Sequence, residues 1–387
     1  MTIGKRKLTD KKWSFAILPE TVKWDSHNYI ALTADDDGFL HVSGNLHVNP
    51  LVYFRTAKPL DITTFERVPG GMTGKDEARA TYPVFFRGPG GKMYFAYRDG
   101  SSGNGNQIYN VWDGKTKTWA RVMDKPFTDG EGERNAYLSE PQLGPDGMFH
   151  IAWVWRESPD ASTNNNPSYA RSKDLIHWEN SAGKPFALPI TLKSGEVIDP
   201  IPVGGGIING NLRIGFDGEK QPVLTYHKYD AKGNLQIYNA RREHAEWNIV
   251  QVSPDWDYRW DFKGGGSIPF EVRPGGVSVA PDGRLQQSWS HKKFGSGIWY
   301  SDPKTLKVVE RAPSKPAYPA SLTKVQGKFP GLEIRWAGDS GKSGEKGVRY
   351  ALRWETMGAY RDRPRPPEET PPPHPLRLVK LLSLIHI

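Results

Sequence analysis

"DSHNYIALTADDDGFLHVSGNLHVNPLVYFRT", from Asp25 to Thr56, reads as two strands folded about the Asp37-Gly38 turn. The stretch holds three of the ten histidines in the chain, His27, His41 and His47. A strand pair that concentrates imidazoles either fills ordinary sheet positions or lines a site. His41 alternates with Leu40 and Val42 beside the turn, so it is expected to fill a sheet position. His27 and His47 lie toward strand ends, near Asn28 and Asn45, and are expected to face a site.

The same pattern recurs along the chain. A tyrosine falls late in a strand, and polar residues and then an apolar or aromatic residue follow it. The tyrosines are Tyr53, Tyr109, Tyr169, Tyr238, Tyr300 and Tyr350, spaced by 56, 60, 69, 62 and 50 residues. Most are preceded by a strand that opens on a glycine turn, as in "GPDGMFHIAWVW" and "APDGRLQQSWS". Each repeat therefore holds about four strands, the content of a propeller blade. "YARSKDLIHW" (Tyr169 to Trp178) resembles a degenerate Asp-box, the hairpin of sialidase-type propellers. The expected fold is all-β: a seven-bladed β-propeller, with six blades as the second choice. The seventh blade is expected to close by pairing "WSFAIL" near the start with "LRLVKL" near the end.

Composition agrees with many short strands. Aromatics make up 12% of 387 residues, with 41 Gly and 32 Pro, which argues against disorder. The net charge of +9 favours a polyanionic partner. No helix-turn-helix, zinc-finger or RNA-recognition pattern is present, so an acidic polysaccharide is preferred over nucleic acid. No run approaches the ~18 apolar residues of a membrane helix. The absence of cysteine excludes disulfides and thiol nucleophiles. The first residues lack the apolar core of a signal peptide, so the chain reads as cytoplasmic as written, or as exported if its start is incomplete. Residues 1–12 are expected to be a flexible basic terminus, 13–380 a single propeller domain, and 381–387 a tail foreign to the fold. A monomer is expected.

A propeller gathers its ligand site from single residues on many strands. The polar and aromatic candidates are His27, His47, Tyr82, Arg98 and Tyr137, followed by Trp155, Arg156, Tyr226, His227, Lys228 and His291. Tyr82 precedes Pro83 and is expected in extended backbone. The "DGSSGNGN" loop after Arg98 is expected to let backbone approach a ligand. His150 and His177 lack a ligand-spaced partner, and no metal or cofactor is expected.

The succession "SHNYIAL…DGFLHVSGNLHVNPLVYFR…TYPVFFR…FAYRDG…AYLSEP" resembles the BNR-repeat propeller family that includes the ulvan lyases, over about Trp13 to Lys380. In those lyases two histidines, a tyrosine, an arginine and a later tyrosine line the cleft. The resemblance puts these roles on His27, His47, Tyr82, Arg98 and Tyr137. Two features depart from it: no export signal is visible, and a zinc site with a thiolate ligand is ruled out.

The implied chemistry is β-elimination on a 4-linked, possibly sulfated, uronic-acid polymer. Arg98 would neutralise the carboxylate so that the C5 proton can leave. His27 would take that proton and Tyr82 would protonate the leaving oxygen, or the two would exchange roles. His47 and Tyr137 would orient these groups. Trp155, Arg156, Tyr226, His227, Lys228 and His291 would hold neighbouring sugars or sulfate. The alternatives are a non-catalytic carbohydrate-binding propeller and, third, a sialidase-like hydrolase.

Overall fold

The computed structural model describes residues 1–314, 316–338 and 344–382. They divide into two compact units where one domain was expected: residues 1–265 with 270–313, and residues 266–269 with the described residues from 314 onward.

The first unit is all-β and propeller-like, built from antiparallel meanders in which each strand pairs with the next. The opening stretch behaves as its pattern predicts. Ile30–Ala34 pairs with Leu40–Gly44, which pairs with Tyr53–Thr56 and then Phe65–Arg67. Gly38 closes the first turn at φ 85°, and the Asp35 carboxylate accepts from the backbone of Asp37 and Phe39 at 3.1 and 2.8 Å. "YARSKDLIHW" forms the expected hairpin. The Asp174 carboxylate accepts from the backbone of Ile176 and His177 at 2.9 and 2.8 Å, and Trp178 is buried beneath it.

Seven blades were expected, but the described residues show four sheets of at least four strands. They have four, eleven, four and five strands. The difference arises from hydrogen bonds between successive meanders, which no local pattern announces. Gly105 pairs in parallel with Asn135, and His47–Asn49 pairs with Ala80–Arg87, so neighbouring meanders fuse into the eleven-stranded sheet. The expected pairing of the two ends is replaced by local partners. Ser14–Ile17 pairs with Thr2–Lys5, so the supposedly flexible terminus contains a strand. In the second unit, Arg377–Leu382 pairs with Val348–Met357, which pairs with Leu332–Gly338. Leu381 and Leu382 of the expected foreign tail belong to that strand, and residues 383–387 lie outside the described ones.

Sheet packing buries both faces of several strands. All eight residues of Phe149–Arg156 are buried, so its two alternating sets of side chains both meet protein. Two strands carry a matching polar pin. The His41 ring lies 2.6 Å from the Tyr53 hydroxyl and 3.4 Å from Asp35, and the His150 ring lies 2.6 Å from Tyr169 and 2.9 Å from Asp146. These partners satisfy imidazoles that water cannot reach.

Buried imidazoles make acid stability testable. Burial pushes His41, His227 and His291 down to about 4, and lowers His150 as well. The unfolded chain protonates these rings near ~6.5 while the folded chain resists, so stability falls as pH drops through that interval. For a fully enclosed ring such as His227, a shift of this size corresponds to roughly 3 kcal/mol. The melting temperature is expected to hold above about pH 7 and to fall steadily from about pH 6.5 to 4. A flat melting profile across that window, followed by circular dichroism, would contradict these protonation states.

Candidate functional site

Two irregular strands aim the site. His47–Asn49 and Ala80–Arg87 pair through His47 and Thr81, and both ladders slip in register nearby, between His47 and Asn49 and between Thr81 and Val84. Such bulges redirect side chains. Tyr82 sits inside the slip at φ 59°, not in the extended backbone that Pro83 favours. Val48 has φ 57° and Asn45 φ 59°. Left-handed backbone at a tyrosine and a β-branched valine costs about 1–3 kcal/mol each, and such strain concentrates at functional sites. Asn45 also ties down the preceding loop, donating to Glu20 at 2.5 Å and to the Thr21 carbonyl at 3.1 Å.

That loop delivers Asp25, which the sequence reading did not single out. Its two carboxylate oxygens accept from His27 Nδ1 at 2.6 Å and His47 Nδ1 at 2.5 Å, and one also accepts from the His27 backbone at 2.8 Å. Burial alone would raise this carboxyl, but the hydrogen bonds hold it below the ordinary aspartate value. One carboxylate thus fixes both imidazoles with their Nδ1 hydrogens inward. The rings stack at 4.0 Å and 14°.

With Nδ1 donating to Asp25, His27 Nε2 is the acceptor nitrogen of the neutral ring, and it lies 3.1 Å from the Tyr82 hydroxyl. Burial raises the Tyr82 phenol and Tyr137 adds to the effect, while Arg98 and Arg156 oppose it. The phenol keeps its proton at neutral pH and donates it to His27. Tyr137 meets Tyr82 edge-on at 6.1 Å and shares a hydrogen bond of 2.5 Å with Ser102.

Arg98 is 3% exposed, and its guanidinium carbon lies 4.9 Å from the Tyr82 ring centre. Its Nε donates to the Gly100 carbonyl and one terminal nitrogen to Thr81 Oγ1, each at 3.2 Å. The other terminal nitrogen, Nη1, is buried without a hydrogen-bond partner. Among the described residues no carboxylate forms an ion pair with Arg98. The glycines expected to admit a ligand instead admit Arg98 itself. A Cβ on Gly105 would fall 2.8 Å from Arg98 Cδ and 2.7 Å from Asn135 Oδ1.

Tyr82, Arg98 and Tyr137 open onto a cleft of about 680 Å³, whose other walls include Tyr29, Glu140 and Arg213. Burial raises the Glu140 carboxyl, and burial together with Glu140 raises the Tyr29 phenol. His27, His47, Tyr82, Arg98 and Tyr137 therefore form one contiguous cluster beside the cleft.

None of the six outer candidates lines the cleft. Trp155, Tyr226 and His227 are each 0% exposed, which leaves no ring face for a sugar. Trp155 donates to Ser168, Tyr226 donates to Asp199, and His227 bonds the Gly206 carbonyl. Lys228 is tied to the same Asp199 at 2.5 Å. His291 is buried against Trp256 and Tyr258 and accepts from the Lys293 backbone. Arg156 packs 5.2 Å from the Tyr137 ring with its nitrogens on Ser158, Pro159 and Asn209, so it supports Tyr137. Alternation along a strand marks an inner face, but here both faces are inner.

No metal was expected, yet Asp25, His27 and His47 each offer a ligand atom within 4.8 Å of the others. Both Nδ1 atoms already donate to Asp25, so a cation held through them would have to displace those hydrogens. Spacing motifs miss such a set because its members come from a loop and a distant strand.

A family model described as "BNR repeat-containing family member" matches residues 1–255. A search of curated proteins finds no match. Among solved structures, an ulvan lyase of the PL25 polysaccharide lyase family, bound to -[GlcA(1-4)Rha3S]-, superposes with a TM-score of 0.57 at 13% identity, covering 93% of this chain and 79% of that one. The polysaccharide lyase Uly1 superposes with a TM-score of 0.57 at 15% identity, covering 93% and 78%. At these identities the likeness concerns the fold.

Proposed function

The chain belongs to the BNR repeat-containing family, and from that premise we propose that it is a polysaccharide lyase cleaving an acidic, uronic-acid polymer by β-elimination. The observation that carries this reading is Arg98, a buried guanidinium with no carboxylate partner among the described residues, next to a hydrogen-bonded His27–Tyr82 pair. An uncompensated buried cation is costly unless a ligand supplies the anion. A uronate carboxylate bound there would be ion-paired by Arg98, which offsets the extra negative charge that flows onto it as the C5 proton leaves and so stabilises the enolate-like intermediate.

Asp25 leaves His27 Nε2 as the basic nitrogen, so His27 takes the C5 proton. Tyr82, a phenol held in its protonated form, gives its proton to the leaving glycosidic oxygen. The two atoms are 3.1 Å apart, so base and acid reach the sugar from one face. That favours uronates whose C5 hydrogen and C4 oxygen share a face, such as D-glucuronate, over L-iduronate, where they lie on opposite faces. His47 completes the grip on Asp25, and Tyr137 shapes the Tyr82 side of the cleft.

A glycoside hydrolase is disfavoured because Glu140 is the one carboxylate among the described cleft-lining residues, and that chemistry needs two. A non-catalytic carbohydrate binder remains the alternative. Incubation with ulvan and with iduronate- and glucuronate-rich polymers, followed at about 235 nm, decides between them, because elimination creates an absorbing unsaturated uronate. A rise on glucuronate-containing substrate is expected. A flat trace with retained binding would identify the binder.

A further inference from the structure

The N-terminal hairpin carries a surface that the cleft does not explain. Phe15 and Ile17 share a face of the strand Ser14–Ile17, and Trp13 immediately precedes it; the three are 40% (Trp13), 65% (Phe15) and 82% (Ile17) exposed. Across the hairpin, Gly4 pairs with Phe15, and its missing side chain lets the Trp13 and Phe15 rings lie over it: a Cβ there would fall 3.4 and 3.3 Å from them. Trp13 and Phe15 stack at 6.5 Å and 21°, and the Arg6 guanidinium lies 5.2 Å from the Trp13 ring centre. The hairpin segment 5–12 carries five cations, Lys5, Arg6, Lys7, Lys11 and Lys12, against a single carboxylate, Asp10. Beyond the hairpin, Trp24 is 59% exposed and immediately precedes Asp25, and Tyr29 lines the cleft at 40% exposure.

Exposed aromatic rings on a hairpin rich in cations suit one kind of occupant. The apolar faces of sugar rings stack on indole and phenyl groups, and carboxylates or sulfates on the same chain pair with lysine and arginine. We propose that the hairpin is an accessory binding surface for an anionic polysaccharide, and that the aromatic run from Trp13 and Phe15 through Trp24 to Tyr29 extends its contact toward the cleft. The inference rests on the acidic-polysaccharide reading for the identity of the polymer, but it does not require that the cleft be catalytic. Charge alone would serve nucleic acid or an anionic membrane equally well. The exposed rings favour the sugar polymer.

The test uses the full chain in affinity gels containing ulvan, with parallel gels containing double-stranded DNA. Two variants probe the surface: Trp13→Ala with Phe15→Ala, and Lys11→Glu with Lys12→Glu. The second changes only exposed lysines and guards against misfolding of the first. Both are expected to weaken retention by ulvan at least about 5-fold, to raise KM on the polymer, and to leave the rate on a short oligosaccharide unchanged. The aromatic variant is expected to leave DNA retention unaltered. Unchanged ulvan retention in both variants would overturn the proposal. So would equal losses on ulvan and DNA caused by the lysine changes alone, which would reveal a general cationic surface. A wild-type protein that is retained through the hairpin but shows no absorbance change on any polymer would reject the lyase reading and keep this one.

Discussion

His27→Ala and Tyr82→Phe are each expected to lower kcat/KM on a glucuronate-containing polymer by about 10²–10⁴-fold, the usual contribution of a positioned acid or base. The two are 3.1 Å apart and work on one sugar, so the double variant is expected to be little worse than either single one. Asp25→Asn tests the geometry behind them. An amide accepts from one imidazole but presents an N–H to the other, which turns at least one ring to the wrong tautomer. Its expected cost is about 10²-fold or more in kcat with KM nearly unchanged, since no substrate atom need touch Asp25. Stopped assays at 235 nm supply all four rates. Full additivity of the two single changes would mean that His27 and Tyr82 act in separate steps.

Arg98 offers the second large effect, and it runs in opposite directions for activity and stability. Arg98→Met removes the group that neutralises the uronate, and kcat/KM is expected to fall by about 10³-fold. The folded protein should nevertheless gain. Burying an ion with no counter-charge costs several kcal/mol, whereas the long 3.2 Å hydrogen bonds to Gly100 and Thr81 return about 1.5 kcal/mol each, the low end for a charged donor. A net stabilisation of about 1–2 kcal/mol is expected, visible as a higher melting temperature in the absence of substrate. An unsaturated uronate oligosaccharide should raise the melting temperature of the wild type but not of the variant. A variant less stable than wild type would show that Arg98 is a structural strut.

The sequence made parts of this molecule readable, for identifiable reasons. The opening hairpin was legible because period-two alternation and Asp37-Gly38 both describe local backbone. The number of separate sheets was not, because the Gly105–Asn135 and His47–Thr81 pairings join segments that are distant in sequence. His27, His47, Tyr82, Arg98 and Tyr137, drawn from separate strands, cluster beside one cleft. Asp25 escaped notice because an aspartate two residues before a histidine looks like an ordinary turn residue. Tyr82 defied its Pro83 neighbour because a bulge, imposed by tertiary pairing, overrides a dipeptide preference. Trp155, Tyr226 and His227 looked available because strand alternation reports sidedness and says nothing of whether both sides are covered.

Asp25 serves two histidines with two oxygens, and this constrains how the protein can change over generations. Loss of either imidazole strands one oxygen of a carboxylate already engaged by the other ring, so the effect of one substitution depends on the residue at the partner position. Single steps away from the trio each pass through a poorer protein, and a compensating step at one member restores little until the others follow. Positions 25, 27 and 47 are therefore expected to change as one unit, and a lineage abandoning this chemistry should show all three altered together.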